Sequence, residues 1–227
     1  MLFEEGKFLL EDPIARYLPS FDKTFDVIRS TAEGYELVPA NGPITIRHLL
    51  THTSGLSYRF MNLEPLAGLY TEAGITDGMA GEAGLLADFV KTLAEQPLAH
   101  HPGEAWTYGL STDVLGRLIE AVHHRSDDGS LQPIPDGRIE DGMTVYDVAY
   151  PYDGQTGYLC GGAGLTSTAG DYARFLQMLL NGGELDGQRL LGRKTVQLMT
   201  SNQVSHLDES AFGAAGFTLG FRLDHGP

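Results

Sequence analysis

A serine and a lysine separated by two residues are the side chains in this sequence most directly suited to nucleophilic chemistry. One helical turn apart, the lysine amine can act as the base that activates the serine hydroxyl. Ser20 and Lys23 form the only pair with this spacing among the 227 residues. Asp22 lies beside the pair and favours a charged lysine, which cannot accept a proton. We therefore expect that Ser20 is not a nucleophile.

Ser111 is a second candidate hydroxyl, because its surroundings half resemble the G-x-S-x-G turn of α/β-hydrolases. The second glycine is missing and no strand clearly precedes the segment. Ser111 is instead predicted to cap a helix that buries Val114 and Leu118. The adjacent histidines at 100–101 and 123–124 cannot both present their rings to one metal ion on a regular element. No metal site is therefore predicted.

The composition excludes several classes of partner. A net charge of -15 repels phosphate backbones and anionic lipids, so we expect neither nucleic-acid nor membrane binding. No apolar run approaches the length of a membrane span. The single cysteine, Cys160, cannot form an intramolecular disulfide and is predicted to be a small buried residue. Because any signal peptide would precede Met1, the location stays open, with the cytoplasm favoured.

Helix signals recur along the chain, whereas strand signals are rare. Threonine caps predict two helices, at 46–50 after Thr45 and at 172–180 after Thr168, with Asp171 completing a capping box. The other predicted elements are a closing helical turn at 1–6, a helix from Asp12 and Pro13 to Leu18, helices over 85–93 and 111–122, loops over 62–81 and 125–142, and one strand over 217–223. One strand cannot satisfy its own backbone hydrogen bonds. Its partners are expected outside this chain or in segments with a weak pattern.

Five stretches, taken in order, resemble the β-lactamase-related serine hydrolases. This group includes class C β-lactamases, family VIII carboxylesterases and penicillin-binding-protein-like peptidases. The stretches are 4–19, 44–56, 102–108, 111–116 and 161–169. Those at 106–108 and 111–113 look closest to the family VIII esterases. Each stretch alone is a weak signal, but their shared order makes the resemblance specific.

The resemblance implies an α+β protein with the β-lactamase/transpeptidase-like fold. In that fold, both chain ends build an antiparallel sheet with flanking helices, and the middle builds a helical lobe. Residues 1–227 are accordingly expected to form a single partial domain. About 45–165 would be mainly helical lobe, and 1–44 and 166–227 would be parts of the sheet-flanking lobe. Most of the sheet would be missing except for one C-terminal strand.

The resemblance also implies acyl transfer through a serine ester, with no cofactor. Tyr108 matches the family's catalytic tyrosine, and Gly162 and Ala163 match a substrate-binding stretch. Leu110 stands where class C enzymes have asparagine, which favours an esterase over a β-lactam specialist. As a base near neutrality, Tyr108 would need its pKa lowered from about 10 toward 7 by nearby lysine ammonium groups. Otherwise it is a cleft aromatic with a hydrogen-bonded hydroxyl, and the glycines form a tight turn.

Three parts of the family pattern are not found where the resemblance expects them. The S-x-x-K pair should precede Met1, the opposite wall should follow Pro227, and several dozen residues should lie between Val122 and His124. The chain is thus predicted to be a fragment of a serine hydrolase for small esters or amides, inactive as written. The alternative is a non-catalytic binding or regulatory module that keeps the family cleft. The oligomeric state stays open.

Overall fold

The computed structural model of the chain describes residues 1–77, 85–122, 138–141, 144–147, 161–162, 167–207 and 216–224. The α-helices in these ranges are Ile46–Leu50 (α1), Leu66–Glu72 (α2), Leu86–Ala94 (α3), Ser111–Val122 (α4), Ala169–Leu180 (α5) and Arg193–Thr200 (α6). Short 3-10 helices span Ile14–Arg16, Pro19–Phe21 and Arg59–Met61. Helices and antiparallel strands thus alternate along the chain, which agrees with the predicted α+β class.

The strands form separate antiparallel hairpins. They are Asp26–Thr31 (β1) with Gly34–Pro39 (β2), Arg138–Asp141 (β3) with Thr144–Asp147 (β4), Glu184–Leu185 (β5) with Gln188–Arg189 (β6), and Gly216–Phe217 (β7) with Arg222–Leu223 (β8). The predicted strand over 217–223 is therefore a hairpin and not one continuous strand. Its reversal follows from a turn in which Thr218 N–H donates to the Phe221 carbonyl oxygen, with Gly220 at φ +101°.

The core that supports the candidate site is helical. Helix α4 packs against α1 and α3. Val114 and Leu118, four residues apart on α4, are fully buried, as are Leu49 of α1 and Leu93 of α3. A spacing of four residues keeps side chains on one face of a helix, so α4 buries the face that the sequence predicted. This packing fixes the N-terminal end of α4, where the site lies.

The two threonine caps are confirmed. The hydroxyl of Thr45 accepts from His48 N–H, and Thr45 N–H donates in return to His48 Nδ1 at 3.2 Å. The hydroxyl of Thr168 accepts from Asp171 N–H at 3.1 Å, but the predicted capping box is not completed, because the Asp171 carboxylate accepts from the Thr168 hydroxyl at 2.8 Å and not from its N–H. Each cap satisfies a backbone donor that a helix N-terminus leaves unpaired, so local chemistry alone sets these starts.

Two predictions about local structure are wrong. Asp12 does not cap a helix, because its carboxylate accepts from Leu9 N–H at 2.9 Å and from the Tyr17 hydroxyl at 2.7 Å, and a 3-10 turn follows. These bonds lower the pKa of Asp12. Helix α2 lies inside the predicted loop over 62–81. It has no side-chain cap to announce it, and its formation depends on burying Leu66 and Tyr70.

The first residues of the chain contact one of its last helices. As predicted, a closing turn ends at Gly6, where Lys7 N–H donates to the Leu2 carbonyl oxygen at 3.0 Å. The carboxylate of Glu4 accepts from Gly192 N–H and from the Thr195 hydroxyl, both at 2.6 Å. Glu4 therefore occupies the N-terminal end of α6, and these bonds lower its pKa.

Helix α5 leaves apolar side chains exposed. Tyr172, Phe175, Leu176 and Leu180 recur at helical spacing, and Leu180 is 81% exposed. Exposed apolar faces of this kind bind apolar dyes and promote self-association. Among the helices in the described ranges, none combines the length and apolar character needed to cross a bilayer.

We expect the purified chain to bind the dye ANS through this face of α5. Leu176→Glu should reduce both the dye fluorescence and the weight-average mass measured by sedimentation. Gln177→Glu adds the same charge on the neighbouring polar side of the helix and should change neither. Equal dye fluorescence and equal mass for the two variants would show that this face of α5 is not the surface that binds ANS and promotes self-association.

Candidate active site

Two loop segments run side by side and carry the candidate site. Thr107 N–H donates to the His52 carbonyl oxygen and Gly103 N–H donates to the Thr53 carbonyl oxygen, both at 2.8 Å. A Cβ on Gly109 would overlap the backbone of the 52–58 segment and lie 2.7 Å from the Ser57 carbonyl carbon. Only glycine allows this approach, so the segments fix the place of the residue before it, Tyr108.

Tyr108 lies within a cluster of aromatic rings. Its ring centroid is 5.0 Å from that of His52, 5.2 Å from that of Tyr58 in an edge-on contact, and 6.2 Å from that of Trp106. Phe217, from the β7–β8 hairpin, packs on Trp106 at 5.4 Å. Tyr108 itself is half-buried. The predicted catalytic residue is thus held by rings from three parts of the chain.

The described glycines of the predicted substrate-binding stretch lie over the start of α4. A Cβ on Gly162 would lie 2.8 Å from Thr112 Oγ1, 2.9 Å from Tyr58 Oη and 3.3 Å from Asp113 Oδ2. Because the Tyr58 ring also contacts Tyr108, the structure brings Gly162 and Tyr108 to the same region. Gly162 thus packs closely on the start of α4, and its role in substrate binding stays a prediction, whereas Ala163 and Cys160 lie outside the described residues.

A helical glycine makes the same approach possible. A Cβ on Gly161 would lie 2.8 Å from the Thr112 carbonyl carbon, and a Cβ on Gly116 of α4 would lie 3.0 Å from the Gly161 Cα. Two glycines thus face each other between α4 and the 161–162 segment. This contact needs no positive φ, so it is the missing side chain that matters.

Ser111 is not the cap of α4. The Leu110 carbonyl oxygen accepts from Val114 N–H at 3.1 Å, so Ser111 is already the first helical residue. Its hydroxyl pairs with the Ser54 hydroxyl at 2.8 Å, and both residues are fully buried. The capping prediction fails because this long-range hydroxyl pair is invisible to local pattern. A nucleophile must be accessible to its substrate, and the buried Ser111 hydroxyl is not.

Leu110 is fully buried in the core. A leucine offers neither a donor nor an acceptor, and here it presents no surface to a ligand either. The asparagine that class C enzymes carry in this motif therefore has no polar equivalent at Leu110.

Ser20 and Lys23 do not form a helical pair. Ser20 lies in the 3-10 turn Pro19–Phe21, which ends at Asp22. Lys23 is exposed, and its ammonium nitrogen lies 4.9 Å from the centroid of the Phe25 ring. This geometry agrees with the expectation that the pair is not catalytic.

Sequence reasoning missed His52. His52 is only 4% exposed, and burial lowers the pKa of its imidazole to about 4. The ring is therefore neutral at pH 7. A neutral imidazole is not the cation that a tyrosine base requires. A single histidine in a loop shows no ligand spacing. The signal that could have found it is its place within 44–56, a stretch that carries the family resemblance.

The other described histidines near the site are structural. His100 bonds the Thr107 hydroxyl through Nε2 at 3.0 Å and the His101 carbonyl oxygen through Nδ1 at 2.9 Å. Burial lowers the pKa of both His48 and His100. The pair at 123–124 lies outside the described residues.

An open groove lies beside the aromatic cluster. Phe60 stacks on Tyr58 at 4.9 Å between ring centroids and also lines this groove of about 530 Å³. The opposite wall comes from α2 and includes Gly68 and Thr71. The rings around Tyr108 are therefore connected through Tyr58 and Phe60 to a space that a small molecule can occupy.

Comparison with known proteins identifies the group to which the chain is similar. The sequence profile of the family described as Beta-lactamase matches residues 1–132 and 123–227. Monacolin J acid methylbutanoyltransferase of Aspergillus terreus is 30% identical over 86% of this chain and 51% of its own length. Esterase EstB of Burkholderia gladioli is 38% identical over 52% of this chain and 27% of its own length.

The solved structure of EstCE1, described as a hydrolase with promiscuous acyltransferase activity, matches with a TM-score of 0.69 at 24% identity. The match covers 99% of this chain and 65% of that chain. The chain spans about half the length of the curated relatives that it matches over most of its own sequence. The match covers 55% of one such relative and 51% of another. The two profile matches overlap over residues 123–132. This chain therefore belongs to the Beta-lactamase family and has the β-lactamase/transpeptidase-like fold.

Proposed function

We propose that these 227 residues carry the tyrosine-bearing part of a serine hydrolase or acyltransferase for small esters or amides. The family consists of enzymes that transfer acyl groups by way of a serine ester. The observation that carries the proposal is the placement of Tyr108 against Tyr58 in an aromatic cluster. Tyr58 lies beside Gly162 and stacks on Phe60, which lines an open groove. The whole chain is proposed to be one partial domain, mainly helical over about 45–165, with 1–44 and 166–227 flanking the sheet.

The proposed chemistry assigns a role to each part. A serine hydroxyl attacks the carbonyl carbon of the substrate, the alcohol or amine leaves with a proton, and water or a second alcohol then releases the acyl group. Tyr108 is proposed as the base that takes and returns the proton. Gly162 and Ala163 are proposed to let backbone approach the acyl group. The buried, apolar Leu110 favours esters over β-lactams as substrates.

The Tyr108 base needs a neighbouring cation, because only a nearby positive charge favours the phenolate near pH 7. His52 is neutral and cannot supply it. Lys23, the lysine of the one S-x-x-K string, is exposed and lies over the Phe25 ring. We therefore propose that the 227-residue polypeptide alone does not complete the reaction.

Incubation of the purified chain with a fluorophosphonate probe and with p-nitrophenyl acetate tests this proposal. We expect no covalent labelling by mass spectrometry and no hydrolysis above the buffer rate, with Ser20→Ala and Ser111→Ala identical to the parent chain. Labelling of one serine, with turnover that its alanine variant abolishes, would overturn it.

A non-catalytic module that keeps the cleft also predicts no labelling and no hydrolysis. A second measurement therefore separates this module from a part of a hydrolase. If the chain is part of a hydrolase, the DNA preceding its first codon should encode an in-frame S-x-x-K helix. An unrelated frame at that position would favour the non-catalytic module.

A further inference from the structure

His52 lies where aromatic side chains from two other segments meet. Its ring centroid is 5.0 Å from Tyr108, 5.9 Å from Trp106 and 5.5 Å from Phe217, the last in a T-shaped contact. Tyr108 and Trp106 belong to the segment before α4, and Phe217 belongs to β7. One imidazole therefore touches every ring that joins the β7–β8 hairpin to the tyrosine.

The backbone of His52 is held in an uncommon conformation to achieve this. Its φ is 55°, in the left-handed region that non-glycine residues rarely adopt and that costs about 1 kcal/mol or more. The conformation is fixed by Thr107 N–H, which donates to the His52 carbonyl oxygen at 2.8 Å. Such strain persists where the surroundings require one side chain in one place.

The side chain carries a second cost. His52 Nδ1 is buried and has no hydrogen-bond partner within the part of the chain that the structure describes. A buried polar atom without a partner is unfavourable by about 1–3 kcal/mol. An apolar side chain would avoid this cost, so the ring is not explained by core packing alone.

The surroundings of His52 are apolar, and burial is the cause of its low pKa. On the elements packed against it, the titratable or charged groups are Arg47 and His48 on α1, His100, His101, Glu104 and Tyr108 on the segment before α4, and Arg222 on β8. The guanidinium of Arg222 is exposed and pairs with Asp224 at 2.8 Å. A proton on His52 would therefore place an uncompensated charge among the rings.

We propose that His52 is a positioning residue that holds Tyr108, Trp106 and Phe217 together as one wall of the site, and that its ring must be uncharged to do so. The inference deepens the proposed function, since it concerns the same tyrosine, but it does not depend on turnover. Proton uptake by His52 loosens the β7–β8 hairpin from the wall and exposes Tyr108.

Trp106 is the only tryptophan in the chain, so its fluorescence reports on this cluster directly. A protonated imidazole beside an indole quenches the indole emission. We expect the emission of the 227-residue chain to fall with a midpoint near pH 4, well below the ordinary histidine value of 6.5. His52→Phe keeps a ring in place and should abolish that step. His206→Gln removes an exposed histidine and should leave the step unchanged.

Nitration of Tyr108 by tetranitromethane, followed by mass spectrometry at pH 7.5, tests the positioning itself. His52→Ala should raise the nitration rate of Tyr108 severalfold, and His52→Phe should restore protection, while far-UV circular dichroism stays unchanged. A fluorescence step that survives in His52→Phe would overturn the inference, as would unchanged Tyr108 nitration in His52→Ala. Neither outcome bears on whether the chain hydrolyses esters, so this inference and the proposed function fail separately.

Discussion

Alanine at position 55 is expected to lower the free energy of unfolding by about 4 kcal/mol, because the substitution combines backbone strain with a steric clash. Gly55 has φ +86°, where an L side chain is strained. An added Cβ would also lie 2.5 Å from the His100 carbonyl oxygen and 2.9 Å from Leu98 Cβ. Because domains are stable by only about 5–15 kcal/mol, such a loss is a large fraction of the whole.

Three other glycines separate the two causes. Gly74 has φ +68° and open space, so Gly74→Ala measures the conformational cost alone, about 1 kcal/mol. Gly109 has no positive φ but meets backbone, so Gly109→Ala measures the steric cost alone, about 2 kcal/mol. Gly42 has neither constraint, and Gly42→Ala should be neutral or slightly stabilising. Urea denaturation followed by circular dichroism gives all four values. A Gly55→Ala loss no larger than that of Gly74→Ala would show that the 55 and 100 segments are not in contact.

Acidification from pH 6.5 to 4 is expected to destabilise the fold, because His52 is buried and neutral. The folded pKa of His52 is about 4, against an ordinary value of 6.5, so the unfolded chain binds the proton more readily. The stability associated with a neutral His52 is therefore complete above pH 6.5 and is lost progressively as the pH falls toward 4. At about 1.4 kcal/mol per pH unit, the total loss is about 3 kcal/mol. Burial lowers the pKa of His48 and His100 as well, so both add to the loss.

Urea denaturation of the parent chain and of His52→Phe at pH 7.5, 6, 5 and 4 isolates this effect. The parent should lose stability more steeply than the variant between pH 6.5 and 4. Glu4 and Asp12 have lowered pKa values and lose their contribution at still lower pH, in both proteins alike. Parallel curves for the two proteins would contradict a buried, neutral His52.

The helices that sequence predicts correctly are those with local causes. Thr45 and Thr168 mark the starts of their helices because each hydroxyl accepts from the backbone N–H three residues later. Such a cap depends only on neighbouring residues, so the sequence reveals it. The β1–β2 hairpin escapes prediction because its strands bury little. Tyr35 and Leu37 of β2 are 45% and 48% exposed, and β1 is anchored instead by Ile28 N–H, which donates to the Leu98 carbonyl oxygen. That anchor joins residues about seventy positions apart, which no local window contains.

Some residues of the candidate site can likewise be found from the sequence, whereas others are found only in the folded chain. Resemblance to the serine hydrolases points to Tyr108 and Gly162, and the structure brings both next to Tyr58. Nothing in their spacing alone would pair residues 54 positions apart. His52 and the Ser54–Ser111 hydroxyl pair come from contacts between separate segments, so they emerge only once the chain is folded.

The bonds between Glu4 and the start of α6 can form only after most of the intervening chain has been synthesised. The two partners of this carboxylate, Gly192 and Thr195, lie 188 and 191 positions later in the sequence. A ribosome, which adds about 5–20 residues per second, thus releases Glu4 well before either of its partners. For roughly ten seconds or longer the carboxylate therefore stays hydrated on the nascent chain, and a peptide that stalls before Gly192 cannot form these bonds.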